Sequence, residues 1–409
     1  MPNQDNTVSM QDDRNKQQSF RSNLWRLTLA QALSGANSVV VFATGAIVGS
    51  MLAPSPILAT LPISIFVVGM AVCVFPMGEL ARKYGRRSAF LVGTACGVLT
   101  GILAVMALLT GSFWLYCLST FFGGAYSAVT LSFRFAATDG LAADKQAQAL
   151  SLVMAGGVFA GVIGSQLVTH TMNLWSETMF VTTFAAQAAV AAISGLILLG
   201  VKSARPSGHK KEVGRSLSLI AVQPRFISAV ICGAASYMVM NFLMTSAPLA
   251  MHMHGHSQES ANIGMQWHVI AMYAPSFFTG KLINRFGAVQ ISALGLILSA
   301  ISAVIGFVGE DVYHFWMLLT LLGIGWNFGF LGASAMVLQC HKPEEKNRVQ
   351  SLNDFVIFGL MALGSFSSGG ILSTYGWQSV LWVSFIPLMV AVITLALIRM
   401  KRMQLPSKK

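Results

Sequence analysis

Residues 78–87 read Gly78-Glu79-Leu80-Ala81-Arg82-Lys83-Tyr84-Gly85-Arg86-Arg87, and about 200 residues later the chain reads Gly280-Lys281-Leu282-Ile283-Asn284-Arg285-Phe286-Gly287. Each stretch is a short basic interruption between two long apolar runs. A second pair keeps the same offset: Ser151-Leu152 with Gly164-Ser165 recurs as Ser351-Leu352 with Gly364-Ser365. The chain is therefore two related halves, which in a membrane is the plan of a carrier with its site near the midplane between the repeats.

Composition confirms the membrane. Of 409 residues 55% are hydrophobic and 10% charged, against about 25% charged in soluble domains, and the mean hydropathy is +0.66. A water-soluble enzyme is excluded. A spanning helix needs about 20 apolar residues, and the apolar runs fall near 24–52, 56–77, 88–110, 113–136, 147–170, 178–200, 226–250, 261–280, 287–308, 313–338, 350–373 and 378–399. Pro54, Pro56, Gly111, Gly309 and Gly376 mark ends, as helix breakers and caps do.

With twelve spans, all 26 Lys and Arg fall on one side, and the opposite loops carry only Glu177, Glu259, Glu310 and Asp311. A wrong span count would scatter the cations. By the positive-inside rule both termini are cytoplasmic. The expected organisation is a disordered cytoplasmic tail (1–22), a six-helix bundle (23–201), a cytoplasmic loop (202–225), a second six-helix bundle (226–400) and a short cytoplasmic tail (401–409). The net charge of +12 lies in short loops and not on one face, so nucleic acid is not an expected partner. Five scattered cysteines without a C-x-x-C pair indicate neither a disulfide framework nor zinc. The polar start has no h-region of a signal peptide.

The pattern Gly78-x-Leu80-x-x-Lys83-x-Gly85-Arg86-Arg87 resembles the loop signature G-x-L-x-D-R-x-G-R-R of the major facilitator superfamily, and the resemblance extends from about Asn23 to Met400. It implies an all-α membrane fold, twelve helices in two pseudo-symmetric bundles of six, and a gating loop containing Gly78, Gly85, Arg86 and Arg87. The signature's acid position holds Arg82, and Asn284 in the second copy. Gating contacts must come from other pairs, with Glu79 and Asp139 with Arg134 as candidates.

Ionisable groups inside a membrane are functional hypotheses by default, and here the acids Glu79, Asp139 and Asp354 all lie near the basic ends of spans. No mid-span charge remains to neutralise a sugar phosphate, nucleotide or dicarboxylate, and no P-loop supports ATP hydrolysis. Sulfur and imidazole are present instead. Met240 and Met244 share one helix face, as do His268 and Met272 in the next span, by their spacing of four. Thioethers and imidazole suit copper, and Cys232 lies two turns along from Met240. Methionine is also an adaptable packing residue, and a neutral His268 hydrogen-bonded to Asn241 or Gln266 would serve packing as well.

The M-x-x-x-M and H-x-x-x-M pair, with Gln266-Trp267-His268 and Pro275-Ser276-Phe277-Phe278-Thr279-Gly280, resembles the CcoA-like copper importers of the bacterial inner membrane. That resemblance implies copper binding by Met240, Met244, His268 and Met272. A sister branch imports riboflavin. The tract Met251-His252-Met253-His254-Gly255-His256 reads either as a metal-gathering element on the outer side, through His252, His254 and His256, or as a solvated helix end. For an organic substrate, Tyr237, Trp267, Trp326, Asn327 and Phe330 offer stacking and hydrogen bonds, with Asn37 and Gln31 further polar groups in span one. The leading expectation is secondary import of copper, as substrate and not resident cofactor, across the inner membrane by alternating access. The alternatives are import of riboflavin or another small organic molecule, and a copper-binding membrane sensor that transports nothing. The expected partners are this substrate and the lipid bilayer; no catalysis is expected.

Overall fold

Backbone N–H and C=O groups find no water in hydrocarbon, so spanning segments close their hydrogen bonds within helices. The computed structural model describes residues 3–55, 58, 61–175, 177–202 and 214–404; these hold helices and no strand. The first half comprises α1 (Asn3–Leu52), α2 (Leu61–Tyr84), α3 (Arg86–Thr110), α4 (Phe113–Ala136), α5 (Ala143–Ala155), α6 (Gly157–Thr171) and α7 (Val181–Leu199). A short α8 (Leu217–Ala221) follows. The second half comprises α9 (Pro224–Met253), α10 (Gln258–Tyr273), α11 (Ser276–Phe286), α12 (Ala288–Val308), α13 (Val312–Leu338) and α14 (Lys346–Gln404), the last turning at Gly376 (φ 79°).

Among the described residues ten helices are long and apolar enough to cross a membrane. The other two expected spans are helical in place. One is α4, whose Ser, Thr and Gly residues lower its hydropathy. The other is the pair α10 and α11, split at Pro275, which has no N–H to donate and whose ring crowds the preceding turn. Span five is likewise split at Gly156, between α5 and α6. The helix of span one continues back to Asn3 across the expected disordered tail, since neither Gly nor Pro interrupts the chain between Asn3 and Ser34. Part of the expected central loop (203–213) and the last five residues of the C-terminal tail (405–409) lie outside the described residues.

Within the first half, Asn37 is a bundle fastener. Its amide donates to Gly123 O (3.1 Å) and Ser127 Oγ (3.3 Å) and accepts from Gln187. Such side-chain bonds hold helices together where lipid offers no hydrophobic drive. Between the halves, α2 packs on α14, α5 on α11 and α6 on α10. Here the two copies of the repeat meet each other. Gly78 of α2 lies against Ser351 of α14, and Gly280 of α11 lies against Ser151 of α5, whose hydroxyl accepts the Gly280 N–H at 3.0 Å. A Cβ on Gly78 would collide with Ser351 Oγ; one on Gly280 would sit 2.6 Å from Gln148 Cα. Two turn glycines follow at matching places, Gly85 (φ 87°) and Gly287 (φ 93°), in a region open to glycine and costly for other residues.

Polar ties across the halves gather at this basic end. Arg86 donates to Asp139 (2.7 Å) and across to Gln350 (3.0 Å); Lys346 reaches Asp139 at 3.1 Å; Asn284 donates to Asp144 O at 2.6 Å. Burial works against the Asp139 carboxylate, but Arg86 and Lys346 outweigh it and hold its pKa below the usual range. Ahead of α8, Arg215 grips Glu345 (2.7 Å) and donates to Cys340 O (3.3 Å), tying the connection to the second half. That hydrogen-bonded pairing draws the Glu345 pKa down to about 2.

Overpacking at the glycine contacts is expected to cost about 1–3 kcal/mol, moving the closed-to-open ratio at the basic end by about 5- to 150-fold. In a background without the five native cysteines, Gly280→Val should raise the maleimide reactivity of Ser351→Cys, and Gly78→Val that of Ser151→Cys. Unchanged rates in both would show that these contacts do not hold the end shut.

Candidate functional site

Where α9, α10, α13 and α14 converge, five aromatic rings form one cluster. Tyr237 meets Trp326 (5.4 Å between centroids), Phe330 (5.1 Å) and Phe358 (5.6 Å) edge-on; Tyr273 meets Trp326 at 5.6 Å; Trp326 and Phe330, four apart on α13, stack at 5.1 Å. Offset and edge-to-face contacts of this kind suit the ring quadrupole. The Arg134 guanidinium lies 4.6 Å over Phe330 and forms the floor at the basic end. Unpaired buried polar atoms occur around the rings. Trp326 Nε1 and both amide atoms of Asn241 have no hydrogen-bond partner in the structure. Asn241 is one turn from Tyr237 and so on its face of α9. Buried polar groups without partners are costly, and a site that receives a polar ligand is one reason to keep them.

The sequence-derived candidates fare unequally. Met240, Met244 and Met272 are buried in the same core as Tyr237 and Trp326. His268 is fully buried, but it bonds neither Asn241 nor Gln266: Nδ1 meets Leu319 O of α13 at 2.7 Å. If Nδ1 carries the proton, the unpartnered Nε2 is an acceptor, useful to a metal or to an organic donor alike. Cys232 belongs to a separate core, with Val239, Phe242 and Leu319. Eight residues from Met240 amounts to about 80° around a helix, which turns the thiol into the second bundle, so it is no relay for the methionines.

The histidine tract does not converge on a metal. His254 places Nδ1 2.7 Å from Ala250 O and Nε2 3.0 Å from the Glu310 carboxylate; His256 Nε2 lies 2.7 Å from Glu310 O; both rings rest on Phe315. His252 is exposed. Among the described residues no group of three or more His, Cys, Asp or Glu is placed to hold a metal ion.

Two expected organic contacts are also corrected. Trp267 is 54% exposed and sits about 200° around α10 from Val269, which packs on Gly161 of the opposite half; it faces away from the junction. Asn327 is fully engaged in repairing the break at Pro275, donating to Met272 O (2.6 Å) and Ser276 Oγ (2.6 Å) and accepting from Thr279 (2.7 Å).

Of the residues expected in a gating loop, Gly85 and Arg86 are buried, Gly78 lies against Ser351 of the other half, and Arg87 is exposed. The expected charge partners differ. Glu79 binds Arg82 and Lys83 of its own helix, and Arg134 pairs with Asp354 of the other half at 2.5 Å. Tyr273 and Phe358 were not read as site residues, and Arg134 was expected to pair with Asp139 and not with Asp354. Only the Tyr273 position, beside Met272 and two residues before the break, carried a local signal.

Loss of the Asn327 amide strands buried groups worth about 1–3 kcal/mol each. Asn327→Ala should lower the thermal midpoint of the purified protein by several degrees, whereas Trp267→Ala should leave it within a degree or two; a reversed order would refute both placements.

The comparisons agree with this architecture. The Major Facilitator Superfamily pattern matches residues 27–274 and 229–409. The chain is 44% identical to the riboflavin transporter RfnT of Brucella anthropi over 384 residues, 93% of this chain and 96% of that protein. Solved structures share the fold. The human organic anion transporter MFSD10 superposes with a TM-score of 0.77 at 12% identity, covering 92% of this chain and 99% of that one. FucP in the outward conformation superposes at 0.69 with 14% identity, covering 93% and 99%. The chain is a multi-pass membrane transporter and belongs to the Major Facilitator Superfamily.

Proposed function

We propose that this chain is a secondary carrier for riboflavin or a closely similar uncharged flavin, moving it into the cytoplasm by alternating access. The observation that carries this reading is 44% identity, along nearly the whole of both chains, with a protein named as a riboflavin transporter. The site is chemically apt. Once the closed cluster parts, the rings of Tyr237, Tyr273, Trp326 and Phe330 would stack on a flat tricyclic ring, and the alternating carbonyl and N–H edge of a flavin suits the Asn241 amide and the free His268 nitrogen. Arg134 is neutralised by Asp354, so the floor offers no net charge to a phosphate. Copper import, the leading expectation from sequence, finds no support in the comparisons, although Met240, Met244 and Met272 do share one core. The basic end, with both termini, is placed in the cytoplasm of a bacterial inner membrane on the positive-inside rule.

Cells unable to make or import riboflavin should accumulate labelled riboflavin when they express the chain, and should not accumulate copper. Trp326→Ala and Tyr237→Ala should reduce uptake on the order of tenfold to a hundredfold, the effect of losing an aromatic anchor. Met244→Ala should change it less than about threefold, as a packing residue would. Copper accumulation that is lost in Met244→Ala would reverse the assignment.

A further inference from the structure

One strip of polar groups in the first half lies outside the aromatic cluster and outside the contacts of the basic end. It runs along the face of α1 that carries Gln31, Ser38 and Phe42, which are seven and four residues apart and so in line on the helix. Leu29, about 180° around α1 from Ser38, is 52% exposed on the outer surface, so the strip looks inward. Phe42 packs on the continuous core that holds Tyr237, Met240 and Trp326, and Val41 is part of that core. Against the strip, α4 presents Ser127, Leu131 and Arg134, again four and seven residues apart. Leu131 belongs to the same core, and Arg134 is the floor beneath Phe330. Ser38 and Ser127 therefore stand on the first-half side of the junction whose second-half side is the aromatic cluster.

The strip holds unused hydrogen-bonding capacity. Gln31 is 1% exposed, and its Oε1 has no partner. It stands at the break in span five: a Cβ on Gly156 would come 3.3 Å from Gln31 Cβ, and one on Gly157 would collide with the Tyr273 ring. The Gln31 amide is thus beside the notch in which an aromatic residue of the other half is seated. Ser38 and Ser127 share one hydrogen bond (2.8 Å), and the Asn37 amide donates to Ser127 at 3.3 Å. Two hydroxyls carry two protons and four lone pairs, so one proton and two lone pairs of this serine pair stay open. Asn37 differs. Its N–H groups and its oxygen are engaged inside the first half, so it fastens helices and is no ligand group. Buried polar groups left unpaired are costly, and the polar edge of a flavin ring already has its match in Asn241 and His268. A polyol chain suits the strip instead, because each of its hydroxyls both donates and accepts. It can donate to the bare Gln31 oxygen and exchange bonds with the open serine pair. Riboflavin carries such a chain on its central ring.

We infer that the two halves divide the ligand: the rings of the second half take the flavin, and Gln31, Ser38 and Ser127 of the first half form a subsite for its hydroxylated chain. The inference rests on the riboflavin reading and adds what selects that molecule among flavins. Its test is inhibition of labelled riboflavin uptake, with the label well below half-saturation, by unlabelled riboflavin and by lumiflavin, the same ring with a methyl group in place of the chain. The parent protein should bind riboflavin about tenfold more tightly than lumiflavin, or better. Ser38→Ala and Gln31→Leu should each weaken riboflavin by about two- to twelvefold, the effect of losing one hydrogen bond, and leave the lumiflavin inhibition constant where it was. Trp326→Ala, on the ring side, should weaken both flavins alike. An inhibition constant does not depend on how much carrier reaches the membrane, so a poorly expressed variant does not imitate this result. Equal inhibition of the parent by the two flavins overturns the inference. So does an equal loss of affinity for both flavins in Ser38→Ala and Gln31→Leu, or a parental ratio kept in both. In each of those three outcomes, riboflavin uptake by the parent leaves the substrate assignment standing. A parent protein without saturable riboflavin uptake strikes that assignment, and the subsite with it.

Discussion

A guanidinium and a carboxylate face each other across the junction of two helix bundles, with almost no access to water, and neither is tenable there without the other. Much of the arrangement around them follows from that dependence. Arg134 is aligned by the Leu131 carbonyl and Ser334, and Asp354 by Asn353. The stacked pair Phe330 and Trp326 rests on the guanidinium, so the aromatic cluster is built on a contact that exists only while the halves are closed at this end. A second layer of charge, Arg86 with Asp139 and Lys346, seals the mouth nearer the surface. Arg86 of the loop motif thus finds its carboxylate in Asp139 of a loop, and Arg134 finds its own in Asp354 of α14.

The internal repeat has a direct physical meaning in the fold. The two copies do not merely resemble one another; they touch. The glycine that opens each copy of the loop motif receives the serine that begins the other repeat's Ser-Leu pair, Gly78 against Ser351 and Gly280 against Ser151. A pseudo-twofold junction requires this reciprocity, because a contact from one half to the other must be matched by its mate. Only a residue without a side chain lets helices approach so closely, which is why glycine stands at both positions.

For the substrate, residue type alone leaves two readings open. A methionine pair and a histidine at helical spacing suit a soft metal, and the structure does bury three of these methionines together. The same side chains also make an apolar, adaptable wall for a flat organic ring. What separates the readings is not the ligand list but its surroundings: the rings of Tyr237, Tyr273, Trp326 and Phe330 beside them, and the histidine tract spent on Glu310 and Ala250. A full-length resemblance to a riboflavin transporter weighs on the same side.

By itself the sequence determined the all-α membrane fold, the two halves, the positions of the spans and the loop glycines, because these depend on hydropathy, on breaker residues and on a repeat, all local or periodic in the chain. It also offered Met240, Met244, Tyr237 and Trp326 as candidates, from helical spacing and residue type, and the structure buries all four in one core. The partners of the charged and polar groups were decided only in three dimensions. Arg134 and Asp354 are 220 residues apart, and no spacing rule pairs them. Trp267 and Cys232 look like their neighbours in sequence, yet helix rotation sends one away from the junction and the other into a separate core. Asn327 reads as a mid-span ligand until the break at Pro275 lies beside it with open carbonyl and hydroxyl groups. Which face of a helix meets which neighbour is set by packing of all the helices together, and that is information a linear pattern does not contain.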